Sequence, residues 1–105
     1  MTTEKPSRIL IGKTVLITGG GGMIGSQICR QVAEMKPARI VCLGRNEEKL
    51  KTVWKDLRNL SPGVDVVTEV CDVRERYQLA TVFGDHRPNI VFHTAARKDI
   101  RDAEA

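Results

Sequence analysis

Two rhythms of apolar and polar positions alternate along this chain. Short, unbroken apolar runs occur at Val15–Ile17, Ile40–Leu43 and Ile90–Phe92, each bounded by polar residues or glycine. Such runs predict strands covered on both faces. Between them lie segments with helical spacing. Ile24, Ile28 and Val32 recur every fourth residue, and Leu50, Val53, Trp54, Leu57 and Leu60 form an apolar stripe. Breakers punctuate the chain: Pro37, then Ser61-Pro62-Gly63, then Pro88-Asn89. The pattern predicts strands at Thr14–Thr18, Arg39–Leu43, Asp65–Cys71 and Ile90–His93. It predicts helices at Met23–Met35, Glu47–Leu60 and Glu75–His86, the last with Leu79, Val82 and Phe83 inward. Asn46 is the predicted N-cap of the second helix, with Glu47 and Glu48 favouring its dipole.

Strictly alternating strands and helices imply a parallel sheet with helices on its faces. Right-handed crossovers then give a sheet order of 3-2-1-4, the first half of a doubly wound, Rossmann-type α/β fold. Residues 1–11 read as a flexible lead-in and residues 12–105 as a truncated dinucleotide-binding half-domain. In that reading the fourth strand is an unpaired apolar edge, so the chain is expected to self-associate or to be a fragment of something longer.

The segment Thr18-Gly19-Gly20-Gly21-Gly22-Met23-Ile24-Gly25 joins the first strand to the first helix. Gly20, Gly22 and Gly25 fit G-x-G-x-x-G, and Gly19, Gly22 and Gly25 fit the related T-G-x-x-G-x-x-G. Such glycines permit a tight turn, close approach to a pyrophosphate and close packing of helix on strand. The helix N-terminus adds free N–H groups and the positive end of its dipole.

The other strand ends extend this picture. At the second, Gly44-Arg45-Asn46 stands where a ribose 2′-hydroxyl is usually met by a carboxylate. No carboxylate is there. Gly44 leaves room and Arg45 suits a 2′-phosphate, so NADP is favoured over NAD. At the third, Asp72 and Val73 suit an adenine edge and face, while Asp72 also reads as the N-cap of the third helix. At the fourth, His93-Thr94-Ala95-Ala96 offers small residues beside which a nicotinamide ribose fits, with His93 packed at a strand end rather than catalytic.

Composition narrows the function classes. The net charge is +4, consistent with a solvated surface or with attraction of a small polyanionic ligand. One Trp, one Tyr and two Phe, with no dense Lys/Arg run, make nucleic acid a poor candidate. No apolar run approaches the ~20 residues of a membrane span, and Met1–Arg8 lacks the apolar core of a signal peptide, so a cytoplasmic location is expected. Cys29, Cys42 and Cys71 match no metal or disulfide spacing and read as small buried hydrophobes.

The Thr18–Gly25 segment resembles the fingerprint of the extended short-chain dehydrogenase/reductases. Gly25–Gln31, Cys71-Asp72-Val73-Arg74, His86–His93 and Ala95-Ala96-Arg97-Lys98 resemble, more narrowly, the CapD-type polysaccharide biosynthesis proteins, over nearly all of residues 12–104. The resemblance implies a nucleotide-sugar 4,6-dehydratase or epimerase acting on substrates like UDP-N-acetylglucosamine. It implies cofactor contacts from Gly19, Gly22, Met23, Ile24, Arg45, Asp72, Val73, Ala95 and Ala96, with Lys98 on the substrate side. Thr94 stands where that family has alanine, and Asp99 and Arg101-Asp102 stand where it has histidine and proline-leucine. Its acid/base chemistry comes from a Ser/Thr and a Tyr-x-x-x-Lys pair. The one tyrosine here, Tyr77, lies in the third helix with Thr81, not lysine, four residues on, so no catalytic residue is assigned. The expected identity is therefore the N-terminal, cofactor-binding part of such an enzyme. The alternatives are a stand-alone, excised or designed half-fold without catalysis, or part of a simple short-chain carbonyl reductase.

Overall fold

The computed structural model describes residues 9–94. Four strands, β1 (Thr14–Thr18), β2 (Arg39–Gly44), β3 (Asp65–Val70) and β4 (Ile90–His93), alternate with three helices, α1 (Met23–Glu34), α2 (Glu47–Leu60) and α3 (Arg76–His86). The sheet is wholly parallel in the order β3-β2-β1-β4, as the pattern predicts. Among the described residues β4 pairs with β1 alone and is an edge of only four residues, with Val91 and Phe92 exposed.

Strand alternation sends side chains to two cores. Val15, Ile17, Ile40, Cys42 and Val66 meet Cys29, Val32 and Ala33 of α1 and Leu50, Val53 and Leu57 of α2. On the opposite face Leu16, Val41 and Leu43 meet Cys71 and Val82, flanked by Leu79 and Phe83 of α3. Right-handed crossovers explain this division: the chain moves outward through α1 and α2 on one face and returns through α3 on the other. Leu10, inside the expected lead-in, is 4% exposed and belongs to the first core.

One expected helix face needs correction. The buried side of α1 is Gly25, Cys29, Val32 and Ala33, and Ile24 is 67% exposed. A period of 3.6 carries the buried stripe along i, i+4, i+7 and i+8 from Gly25. Ile24 is thereby turned out towards the strand ends. All three cysteines are buried. Cys29 and Cys42 touch at 3.6 Å, and that contact together with burial holds the Cys42 thiol well above its ordinary pKa.

Polar groups fix the joints. Asn46 caps α2, its Oδ1 accepting from the Lys49 N–H at 3.0 Å. Trp54 packs half-buried and donates its indole N–H to the Val66 carbonyl at 3.0 Å. Asn89 exchanges two 2.8 Å bonds with the Thr14 backbone, which sets the register of β4. Ser61, buried after α2, donates to the Ala33 carbonyl near the end of α1 at 2.9 Å. Ser61→Ala removes one of that carbonyl's two partners, the Lys36 N–H at 3.0 Å remaining, and is expected to cost about 0.5–1.5 kcal/mol, measured by urea denaturation.

Candidate functional site

The carboxyl ends of all four strands meet at one cleft of about 680 Å³. This is where ligands bind in open α/β sheets, at the point where strand order reverses between β1 and β4. Gly19 and Gly21–Gly25 form one wall, Leu43–Asn46 with Lys49 a second, Cys71–Arg74 a third, and His93 and Thr94 the fourth.

The first wall depends on two missing side chains. Gly19 has φ +69°, a left-handed conformation that favours glycine, and a Cβ there would collide with the Thr94 carbonyl. A Cβ on Gly25 would strike the Gly19 carbonyl and lie 2.8 Å from Thr94 Oγ1. Gly25 thus lets the first turn of α1 rest directly on the loop after β1. Gly22 caps α1 without a side-chain bond, and the Ser26 N–H donates to the Gly22 carbonyl at 2.9 Å. By helix geometry the N–H groups of Met23, Ile24 and Gly25 have no acceptor within their own helix. They form an anion-seeking end that faces the cleft. Met23, 82% exposed, and Ile24 give that end an apolar rim.

Thr18 does not line the cleft. It is buried beneath it as a clamp between β1 and β4. Its hydroxyl accepts the Thr94 N–H at 2.9 Å and lies 2.8 Å from His93 Nδ1, while its carbonyl accepts from the Thr94 hydroxyl. A Thr18 O–H donated to Nδ1 leaves the imidazole proton on Nε2. That contact holds His93 at the strand end, but the residue is exposed on the cleft wall rather than packed as the sequence reading has it.

The second and third walls carry charge. Arg45 follows β2 with its Nη1 3.8 Å from Asp72 Oδ2. Asn46 lines the cleft while its side chain serves as the α2 cap. Asp72 does not cap α3. That position belongs to Glu75, which makes no side-chain cap bond. The Asp72 carboxylate instead accepts from the Arg74 N–H at 2.9 Å, from Arg74 Nε at 3.1 Å and from Arg74 Nη2 at 2.8 Å. These bonds, then the neighbouring Arg45 charge, outweigh burial and lower its pKa to about 2. Val73 sits beside it, half-buried, on the cleft wall.

Lys49 and Arg74 are cleft residues that the sequence reading leaves without a role. The signal for Lys49 was available: it lies in the first turn of α2, and helical side chains lean towards the N-terminus. That lean carries Lys49 back to the glycine loop, its Cβ 3.0 Å from where a Cβ on Gly21 would be. Ala95, Ala96 and Lys98 lie outside the described residues. Tyr77 is 90% exposed at the start of α3 and does not line the cleft. No cluster of metal-ligating side chains occurs among the described residues. No helix among them is long and apolar enough to cross a membrane.

Comparison with known proteins agrees with this architecture. A family model described as polysaccharide biosynthesis protein matches residues 15–105. A probable polysaccharide biosynthesis protein, EpsC of Bacillus subtilis (strain 168), is 38% identical over 102 residues, covering 95% of this chain and 17% of that protein. A capsular polysaccharide biosynthesis protein, CapD of Staphylococcus aureus, is 36% identical over 95 residues, covering 90% of this chain and 16% of that one. The chain therefore spans about a sixth of the length of these relatives. A UDP-glucose 4-epimerase from Stenotrophomonas maltophila, solved with NAD and formylated UDP-arabinopyranose, superposes with a TM-score of 0.71 at 26% identity. That match covers 87% of this chain and 26% of the epimerase.

Proposed function

The chain belongs to the polysaccharide biosynthesis protein family, and from that premise we propose that it is the NADP-binding portion of a nucleotide-sugar 4,6-dehydratase or epimerase. One observation carries the reading: a single cleft holds both the amide-bearing start of α1 and the Arg45 guanidinium. The first suits a pyrophosphate. The second, with Lys49 nearby, suits a 2′-phosphate.

The residues fit the dinucleotide in kind as well as in place. The cradle at Gly19 and Gly25 is one that a Cβ would fill. Met23 and Ile24 supply apolar contact, and Asp72 and Val73 stand where an adenine would end. Bound nicotinamide would supply hydride exchange with the sugar. The described residues do the holding: they fix the phosphates, orient the adenosine and anchor β4. A substrate like UDP-N-acetylglucosamine is the class that the CapD and EpsC likeness favours.

NAD is the alternative cofactor, since the similar epimerase was solved with it. The test is a fluorescence titration of the full-length protein with NADPH and NADH, alongside mass spectrometry of UDP-N-acetylglucosamine after incubation. Tighter binding of NADPH, with a product lacking one water or changed only in stereochemistry, is the expected result. Failure to bind either nucleotide would reject the reading.

A further inference from the structure

Resting on that dinucleotide reading, we infer that His93 binds the far half of the cofactor, its Nε2–H donating to a hydroxyl of the nicotinamide ribose, and that Thr18 is the positioning residue that keeps the proton on that nitrogen. The two residues are Cα partners in the pairing of β1 with β4. Thr18 is 3% exposed, and its hydroxyl accepts the Thr94 N–H at 2.9 Å and lies 2.8 Å from His93 Nδ1. A hydroxyl has one proton to give. Among the described residues Nδ1 is the one acceptor within its reach, and burial denies it water. The Thr18 O–H therefore donates to Nδ1, and the neutral ring carries its own proton on Nε2.

Nε2 is the open end of this arrangement. His93 is exposed and lines the cleft beside Thr94, and Nε2 has no hydrogen-bond partner among the described residues. The order of the strands decides which part of the ligand meets it. Arg45 after β2 and Val73 after β3 stand on one side of the glycine turn that follows β1, and β4 stands on the other. With the 2′-phosphate at Arg45 and the pyrophosphate at the start of α1, the adenosine half takes the β2 and β3 side. The half beyond the pyrophosphate then passes over β4. The first polar groups it brings there are ribose hydroxyls, which accept as readily as they donate. An N–H preset in one tautomer meets such a hydroxyl without first choosing between two ring states, and that pre-organisation strengthens binding.

The test is calorimetric titration of the full-length protein with NADPH, with 2′-phospho-ADP-ribose, which keeps the distal ribose without the nicotinamide, and with 2′-phospho-ADP, which lacks both. His93→Ala should weaken NADPH and 2′-phospho-ADP-ribose about fivefold each, the worth of one neutral hydrogen bond, and leave 2′-phospho-ADP within about twofold of the wild type. His93→Gln, whose amide nitrogen reaches about as far as Nε2, should recover most of the loss, and His93→Asn, which reaches only as far as Nδ1, should not. Thr18→Val removes the hydroxyl that sets the tautomer and should give the same ligand pattern at about two- to threefold, whereas Thr18→Ser should match the wild type. Equal weakening of all the ligands by His93→Ala would mean that the residue only props the strand end, and would overturn the inference. So would unchanged NADPH affinity in that variant, or a loss confined to NADPH that spares 2′-phospho-ADP-ribose. Failure of the wild type to bind any of these ligands would instead bring down the cofactor reading and this inference with it.

Discussion

Gly25→Ala is expected to destabilise the fold by about 3 kcal/mol and to remove NADPH binding. The added Cβ would meet the Gly19 carbonyl carbon at 2.6 Å and Thr94 Oγ1 at 2.8 Å, with the carbonyl oxygen nearer still. The first and last of these are backbone atoms, and neither can yield as a flexible side-chain tip would. Relief therefore requires α1 to lift from the loop after β1, at the upper end of what overpacking a core costs. Lifting α1 also withdraws the Met23, Ile24 and Gly25 amides from the cleft. Gly84→Ala is the matching control. Its Cβ would meet nothing within 4 Å, and Gly84 lies within α3, so alanine there should stabilise by about 0.5–1 kcal/mol. Denaturant melts and nucleotide titrations of the two variants read both effects. Wild-type stability and affinity in Gly25→Ala would mean that the helix does not lean on the loop as described.

Arg45→Asp is expected to invert cofactor preference. Removing the guanidinium deprives a 2′-phosphate of a bidentate, charge-assisted partner, and the new carboxylate repels it. NADPH affinity should fall about a hundredfold, while NADH affinity should hold or rise, because a carboxylate after β2 can accept from a 2′-hydroxyl. Lys49→Ala, which leaves the ribose site without new repulsion, should cost NADPH about tenfold and NADH little. Paired titrations at fixed ionic strength decide the matter, since phosphate contacts weaken with salt. Equal losses for both nucleotides in Arg45→Asp would point to a general disturbance of the cleft rather than to recognition of the 2′ position.

Most of the fold could be read from the sequence because its signals were local and agreed with one another. Asn46 followed by Glu47 and Glu48 marks the start of α2, and the structure begins that helix there. Val15–Ile17 and Ile40–Leu43 are too short and too uniformly apolar to be surface helices, and both are central strands. The spacing of Ile24, Ile28 and Val32 misled because a strict period of four drifts around a real helix, and because Gly25, with no side chain, is what faces the sheet. Asp72 misled for a different reason. A short acidic residue ahead of a helix can cap it or close a turn, and an arginine two residues on decided for the turn. For Lys49 the local half of the signal, a first-turn side chain leaning towards the N-terminus of α2, was legible, whereas the meeting of the β1 and β2 loops that gives the lean its target is encoded in no local pattern.

The polar stitches on β4 have a consequence for how the site moves. An edge strand of four residues would ordinarily fray from either end. Here Asn89 fastens one end to Thr14, and Thr94 fastens the other to Thr18. Peeling must therefore break both fastenings in one event, so β1 and β4 form a stiff sill under the cleft, and the Arg45 side chain, held on the opposite bank only by a 3.8 Å ion pair to Asp72, is left as the adaptable part of its lining.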